Sequence, residues 1–139
     1  MPFHLGGAES CATGPVRCNE RGSAVVDFVL VGGLLTAFFL AIIQLTLVLH
    51  VRNTLIDAAS SGARYGALAD RTPEDAAVRT AELIGTALNP EFARDISTSE
   101  AGSQETRMLE VTVRAPLPVI GLVGAGFALE VKGHAAVFD

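Results

Sequence analysis

Three residues near the start of the chain could do chemistry together: Gly22, Ser23 and Asp27. Gly22-Ser23 is a pair of small residues directly ahead of a long apolar run, a stretch of backbone that a peptidase can hold extended. Asp27 is a carboxylate just inside that run. A charge in a membrane-spanning helix costs on the order of 2.5–3.5 kcal/mol at the centre and less towards the ends. Asp27 is tolerable where it lies, but it wants a partner. The chemistry on offer is therefore peptide cleavage at a small-residue site and charge pairing at a membrane boundary. A secretory signal reverses this order, with an apolar core of about 7–15 residues followed by the small cleavage site.

The element that must position these residues is the apolar run itself. From Phe28 to Leu49 no residue is charged, and only Thr36, Gln44 and Thr46 interrupt FVLVGGLLTAFFLAIIQLTLVL. As a helix it would be about 33 Å long at about 1.5 Å per residue, against a bilayer core of about 30 Å. No face turns polar, as one would on a soluble amphipathic helix. The run predicts a transmembrane helix beginning near Arg21. Gly32-Gly33 reads either as ordinary membrane-helix glycine or as a point of close packing or local melting in an assembled fibre. Gln44 points weakly to helix association, worth about 1–2 kcal/mol.

Beyond Leu49 the polarity changes while the helical spacing continues. Val51, Leu55, Ala58, Gly62, Tyr65 and Ala69 recur every three or four residues and form one narrow stripe, with Arg52, Asn53, Asp57, Ser60 and Arg64 on other faces. The membrane helix is expected to continue as a stem whose small residues lie under a headpiece.

These two stretches carry a family resemblance. RGSAVVDFVLV, a basic residue, Gly, a small residue, two aliphatics, an acid and Phe, looks like a class III, type IV prepilin-like signal. Together with VRNTLIDAASSGARYGA it resembles the TadE-like minor pilins of tight-adherence (Tad) pilus systems, over Arg21 to about Ala69. Such signals usually carry Glu at the fifth mature position, where this chain has Asp27. The resemblance implies a leader over residues 1–22, a transmembrane helix over 23–49 and an extracytoplasmic stem and headpiece over 50–139. It implies cleavage between Gly22 and Ser23 by a prepilin peptidase, and pairing of Asp27 with the freed Ser23 amine of a neighbouring subunit. The partners implied are other pilin and minor pilin subunits, the inner-membrane assembly platform and membrane lipid. The location implied is the cytoplasmic membrane, N-terminus inside and C-terminus outside, with incorporation into a pilus that serves assembly, adhesion or secretion.

Charge and cysteine content narrow the alternatives. The 139-residue chain carries −5, and removal of the leader leaves that unchanged, since Arg17 and Arg21 balance Glu9 and Glu20. An acidic chain is not a nucleic-acid binder by composition. Arg17 and Arg21 before the helix match Arg52 and Arg64 after it, so the positive-inside rule does not orient it. Cys11 and Cys18 both fall in the leader, which reads as disordered through residue 20, and their spacing matches no metal site. A mature domain would then have no disulfide to lean on.

The rest of the chain predicts an α+β headpiece. Thr72 suits an N-cap, Pro73 the first helical position, and Glu74 and Asp75 the positive end of the helix dipole. A second helix is expected to about Leu88, with Ala77, Ala81, Ile84 and Leu88 inward, ended by Asn89-Pro90 and followed by a short turn over 91–94. Ile96–Ser99 is a poor strand candidate and residues 101–104 read as a turn. Arg107–Ala115 alternates Leu109, Val111, Val113 and Ala115 against Glu110, Thr112 and Arg114. Residues 119–127 read as a glycine-rich loop, and Phe127–Phe138 as a last strand. Two or three antiparallel strands packed on the stem are expected.

Other chemistry finds no footing in the sequence. GLVGAG lacks the Lys-Ser/Thr of a phosphate loop, the acids of 70–75 lack EF-hand spacing, and three separated histidines form no triad or metal pair. No cofactor, metal or enzymatic activity is expected. The reading is a structural, minor pilin-like subunit; the alternative is a single-pass anchored extracytoplasmic binding or sensor domain that keeps its N-terminus.

Overall fold

A computed structural model describes residues 14–103, 105–118 and 128–138. The expected disorder of residues 1–13 and the expected loop over 119–127 lie outside those residues. The chain divides into two units, one ending at Ala41 and one beginning at Ile42.

The first unit is helix. Helix α1 (Gly14–Gly66) starts well ahead of Arg21, so residues 14–20 are helical rather than disordered. Pro15 lies in the first turn, where its missing N–H costs no hydrogen bond, and nothing after it breaks the helix. The large apolar side chains here, among them Val25, Phe28, Leu34, Phe38 and Phe39, are exposed. The hydroxyl of Thr36 donates to the Gly32 carbonyl at 2.8 Å, which spares an apolar surrounding an unpaired polar group. Helix runs unbroken through Gly32-Gly33, so no local melt is present. Among the described residues α1 is the one helix long and apolar enough to be a candidate membrane span.

The second unit is an α+β domain. It contains the last turns of α1, helix α2 (Pro73–Ala87), a 3₁₀ turn (Pro90–Ala93), and strands β1 (Asp95–Ser103), β2 (Thr106–Pro116) and β3 (Ala128–Val137). The strands form one antiparallel sheet in the order β1-β2-β3. The sheet buries Leu109, Val111, Val113 and Ala115 of the central strand, as the alternation predicts, against Val51, Leu55, Ala59 and Ala63 of α1 and Ile84 of α2.

Helix α2 starts where capping chemistry places it. The Asp75 N–H donates to Thr72 Oγ1 at 3.3 Å and the Thr72 N–H donates to the Asp75 carboxylate at 2.9 Å. Its buried face is not the expected one. Ala76, Thr80 and Ile84 are buried, whereas Ala77 and Ala81 are only half-buried. Thr80 can face inward because its hydroxyl donates to the Ala76 carbonyl at 2.8 Å and needs no outside partner.

The stem stripe also shifts. Val51, Leu55, Ala58 and Gly62 are buried, but Tyr65 is half-buried and Ala69 exposed, because α1 stops at Gly66. Ala59, Ala63 and Gly66 complete the buried face instead. Gly62 lies under α2 rather than under the strands: a Cβ there would collide with Thr80 Oγ1 and sit 2.9 Å from the Ala76 carbonyl. Beta contact with the stem comes at Gly133, whose absent side chain lets β3 approach the α1 backbone at Ala59 and Ser60.

Strand β1 is longer than the sequence predicts. All nine of its residues pair with β2, from Asp95↔Arg114 to Ser103↔Thr106. The expected turn over 101–104 is displaced to the two residues after Ser103. A glycine is required at 102, where φ is +132° and a side chain would run into the Thr106 carbonyl.

Candidate processing and assembly site

Gly22, Ser23 and Asp27 all lie on α1 and all are exposed. Ser23 and Asp27 are four residues apart, which puts them on one helix face with Cβ atoms about 5–6 Å apart. A Cβ added at Gly22 would meet nothing within 4 Å, so packing within this chain does not demand glycine there. Among the described residues Asp27 has no ion-pair partner. The arrangement offers a side-chain-free peptide bond, a small hydroxyl residue and a carboxylate one turn on, all open to another molecule. Cleavage at Gly22-Ser23 would require this part of α1 to unwind, since a peptide bond in a helix is not presented in extended form.

The family model of the TadE-like proteins matches residues 22–64. The chain carries the TadE-like segment. That segment opens at Gly22, includes Ser23 and Asp27, and ends two residues before the end of α1. It points to a pilin-like protein associated with the Tad pilus system. No curated protein and no solved structure matches the chain. The strands, α2 and the polar face of the sheet lie beyond the TadE-like segment.

That polar face is the charged feature sequence reasoning missed. Glu110 of β2 pairs with Lys132 Nζ at 3.0 Å and with His134 Nε2 at 2.8 Å, both on β3. Arg114 Nε lies 3.0 Å from Glu130 Oε2. The register sets these side chains opposite one another, Glu110↔His134 and Arg114↔Glu130. The Lys132 ammonium, and after it His134, holds the Glu110 carboxyl below its ordinary value. Hydrogen bonding to Glu130 raises Arg114 above its own. The alternation of β2 put Glu110 and Arg114 on one face, but their partners lie 16–24 residues away. Only strand order and register could reveal them.

Elsewhere the chemistry is sparse. Among the described residues no three of His, Cys, Asp and Glu gather to hold a metal ion. Tyr65 lies under two guanidinium groups, with Arg71 at 4.8 Å and Arg79 at 5.9 Å from the ring centre. A cleft of about 310 Å³ between the end of α1 and the sheet is lined by residues including Leu68, Arg71, Glu100, Leu109 and Phe138.

Proposed function

We infer that this chain is a minor pilin-like structural subunit of a Tad-type pilus, made as a precursor and matured by removal of residues 1–22. The observation that carries the reading is the TadE-like match, which begins at the small-residue site and runs through the apolar helix. The exposed apolar surface of α1 supports it, since such a surface needs lipid or neighbouring helices around it. Prepilin peptidase cuts between Gly22 and Ser23, and the new Ser23 amine of one subunit pairs with Asp27 of the next. Other pilins, the inner-membrane assembly platform and membrane lipid are the partners, and the headpiece lies outside the cytoplasmic membrane. The role is structural, not catalytic.

The test is the mass of the chain recovered from membranes. A mature species lacking residues 1–22 is expected, and Gly22→Val should leave the full-length precursor. A full-length chain in wild-type membranes, or normal maturation of Gly22→Val, would overturn the precursor reading. The single-pass anchor would then stand in its place.

A further inference from the structure

The two edges of the sheet are not alike. Unprotected strand edges template pairing with other chains, and proteins ordinarily blunt them with charges, proline, bulges or a covering element. On β3, Glu130, Lys132 and His134 line the outer face, and Gly133 abuts α1. Strand β1 has none of these devices along most of its length. Its nine residues, DISTSEAGS, pair without a bulge and contain no proline and no basic residue. Among the described residues no backbone hydrogen bond joins β1 to anything beyond its partner strand. Alternate N–H and C=O groups along it therefore point outward without a partner, and a β-strand is the structure that satisfies such a row.

We propose that β1 is a docking strand for a second copy of this chain, paired antiparallel about a two-fold axis at Ser99. Outward groups must meet outward groups, so a symmetric ladder is centred on a single residue. Centring on Glu100 sets two carboxylates face to face, which is repulsive. Centring on Thr98 leaves Gly102 and Ser103 without strand partners. Centring on Ser99 pairs all nine residues, with Asp95 opposite Ser103 and Glu100 opposite Thr98, so neither acid meets another. The result is a continuous six-stranded sheet, its polar face extended across both copies. This pairing does not depend on the pilus reading.

Cross-linking of the detergent-extracted full-length chain tests it, with Cys11→Ser and Cys18→Ser as background. Ser99→Cys faces itself across the axis, with Cβ atoms about 4.5–5.5 Å apart, and should oxidise to a covalent dimer. Ser97→Cys lies about 13 Å from its own copy and should stay monomeric, while Ser97→Cys combined with Ala101→Cys should cross-link. Thr98→Glu sets a carboxylate against Glu100 and should abolish the Ser99→Cys dimer; adding Glu100→Lys should restore it. A monomeric Ser99→Cys chain would overturn the proposal, as would equal cross-linking from Ser97→Cys alone or indifference to Thr98→Glu. A strand from a different protein on this edge would leave Ser99→Cys monomeric and defeat the second-copy assignment.

Discussion

Asp27 is the residue on which the assembly reading turns, because a carboxylate beside an apolar helix must be offset by something. Paired with a neighbour's amine it stays charged and acts as a register: correct docking neutralises it, and a slip leaves two isolated charges. Removing one partner of a buried pair typically costs about 3–5 kcal/mol. Asp27→Asn should therefore insert and mature normally yet co-purify poorly with sheared pilus complexes, while Asp27→Glu should be tolerated. Normal co-purification of Asp27→Asn would remove the carboxylate from assembly. Glu110 makes a second residue-scale prediction. Its folded carboxyl is held below the ordinary 4.5 by Lys132 and His134. The stability it contributes is complete above that ordinary value and disappears as pH falls through the lowered folded value. Thermal unfolding followed below pH 5 should show this acid loss reduced in Glu110→Gln. Both residues stood out in the sequence by type, but only Asp27 could be given a partner class, because the partners of Glu110 come from another strand.

Glycines at the element scale separate positions where space is forbidden from positions where it is free. At Gly62 the neighbour is the flexible Thr80 hydroxyl together with the rigid Ala76 carbonyl. Gly62→Ala should push α2 off the stem and cost about 1–3 kcal/mol, and Thr80→Ala in the same chain should recover part of that. At Gly133 both obstacles are α1 backbone atoms, so Gly133→Ala should cost more and no single side-chain change should rescue it. Gly85 on α2 has nothing within 4 Å of an added Cβ, so Gly85→Ala should stabilise by roughly 0.5–1 kcal/mol through helix propensity. Chemical denaturation of the detergent-solubilised chain would rank the three. A ranking without Gly133→Ala as the worst would contradict the contact between β3 and the stem. The small-residue stripe announced that the stem was packed against something, but Gly62 met α2 and not the strands.

For the whole molecule, the open question of orientation has a direct measurement. With Cys11→Ser and Cys18→Ser in place, Ser61→Cys on the exposed side of the stem should react with a membrane-impermeant maleimide from the extracytoplasmic side. Labelling only after the cytoplasmic side is opened would reverse the proposed topology. What the sequence determined by itself was whatever depends on neighbours along the chain. The uncharged run from Phe28 to Leu49, the Thr72–Asp75 cap, the stop at Asn89-Pro90 and the alternation of Leu109, Val111, Val113 and Ala115 are each written within a few residues. Tertiary structure decided the rest. Serine- and glycine-rich β1 has weak strand propensity, and the central strand it pairs with draws it into nine ladder positions. Thr80 turns inward because Gly62, eighteen residues earlier, leaves it room. The ionic face of the sheet and the close approach at Gly133 exist because folding brings distant residues together, and no local pattern encodes which distant residue will arrive.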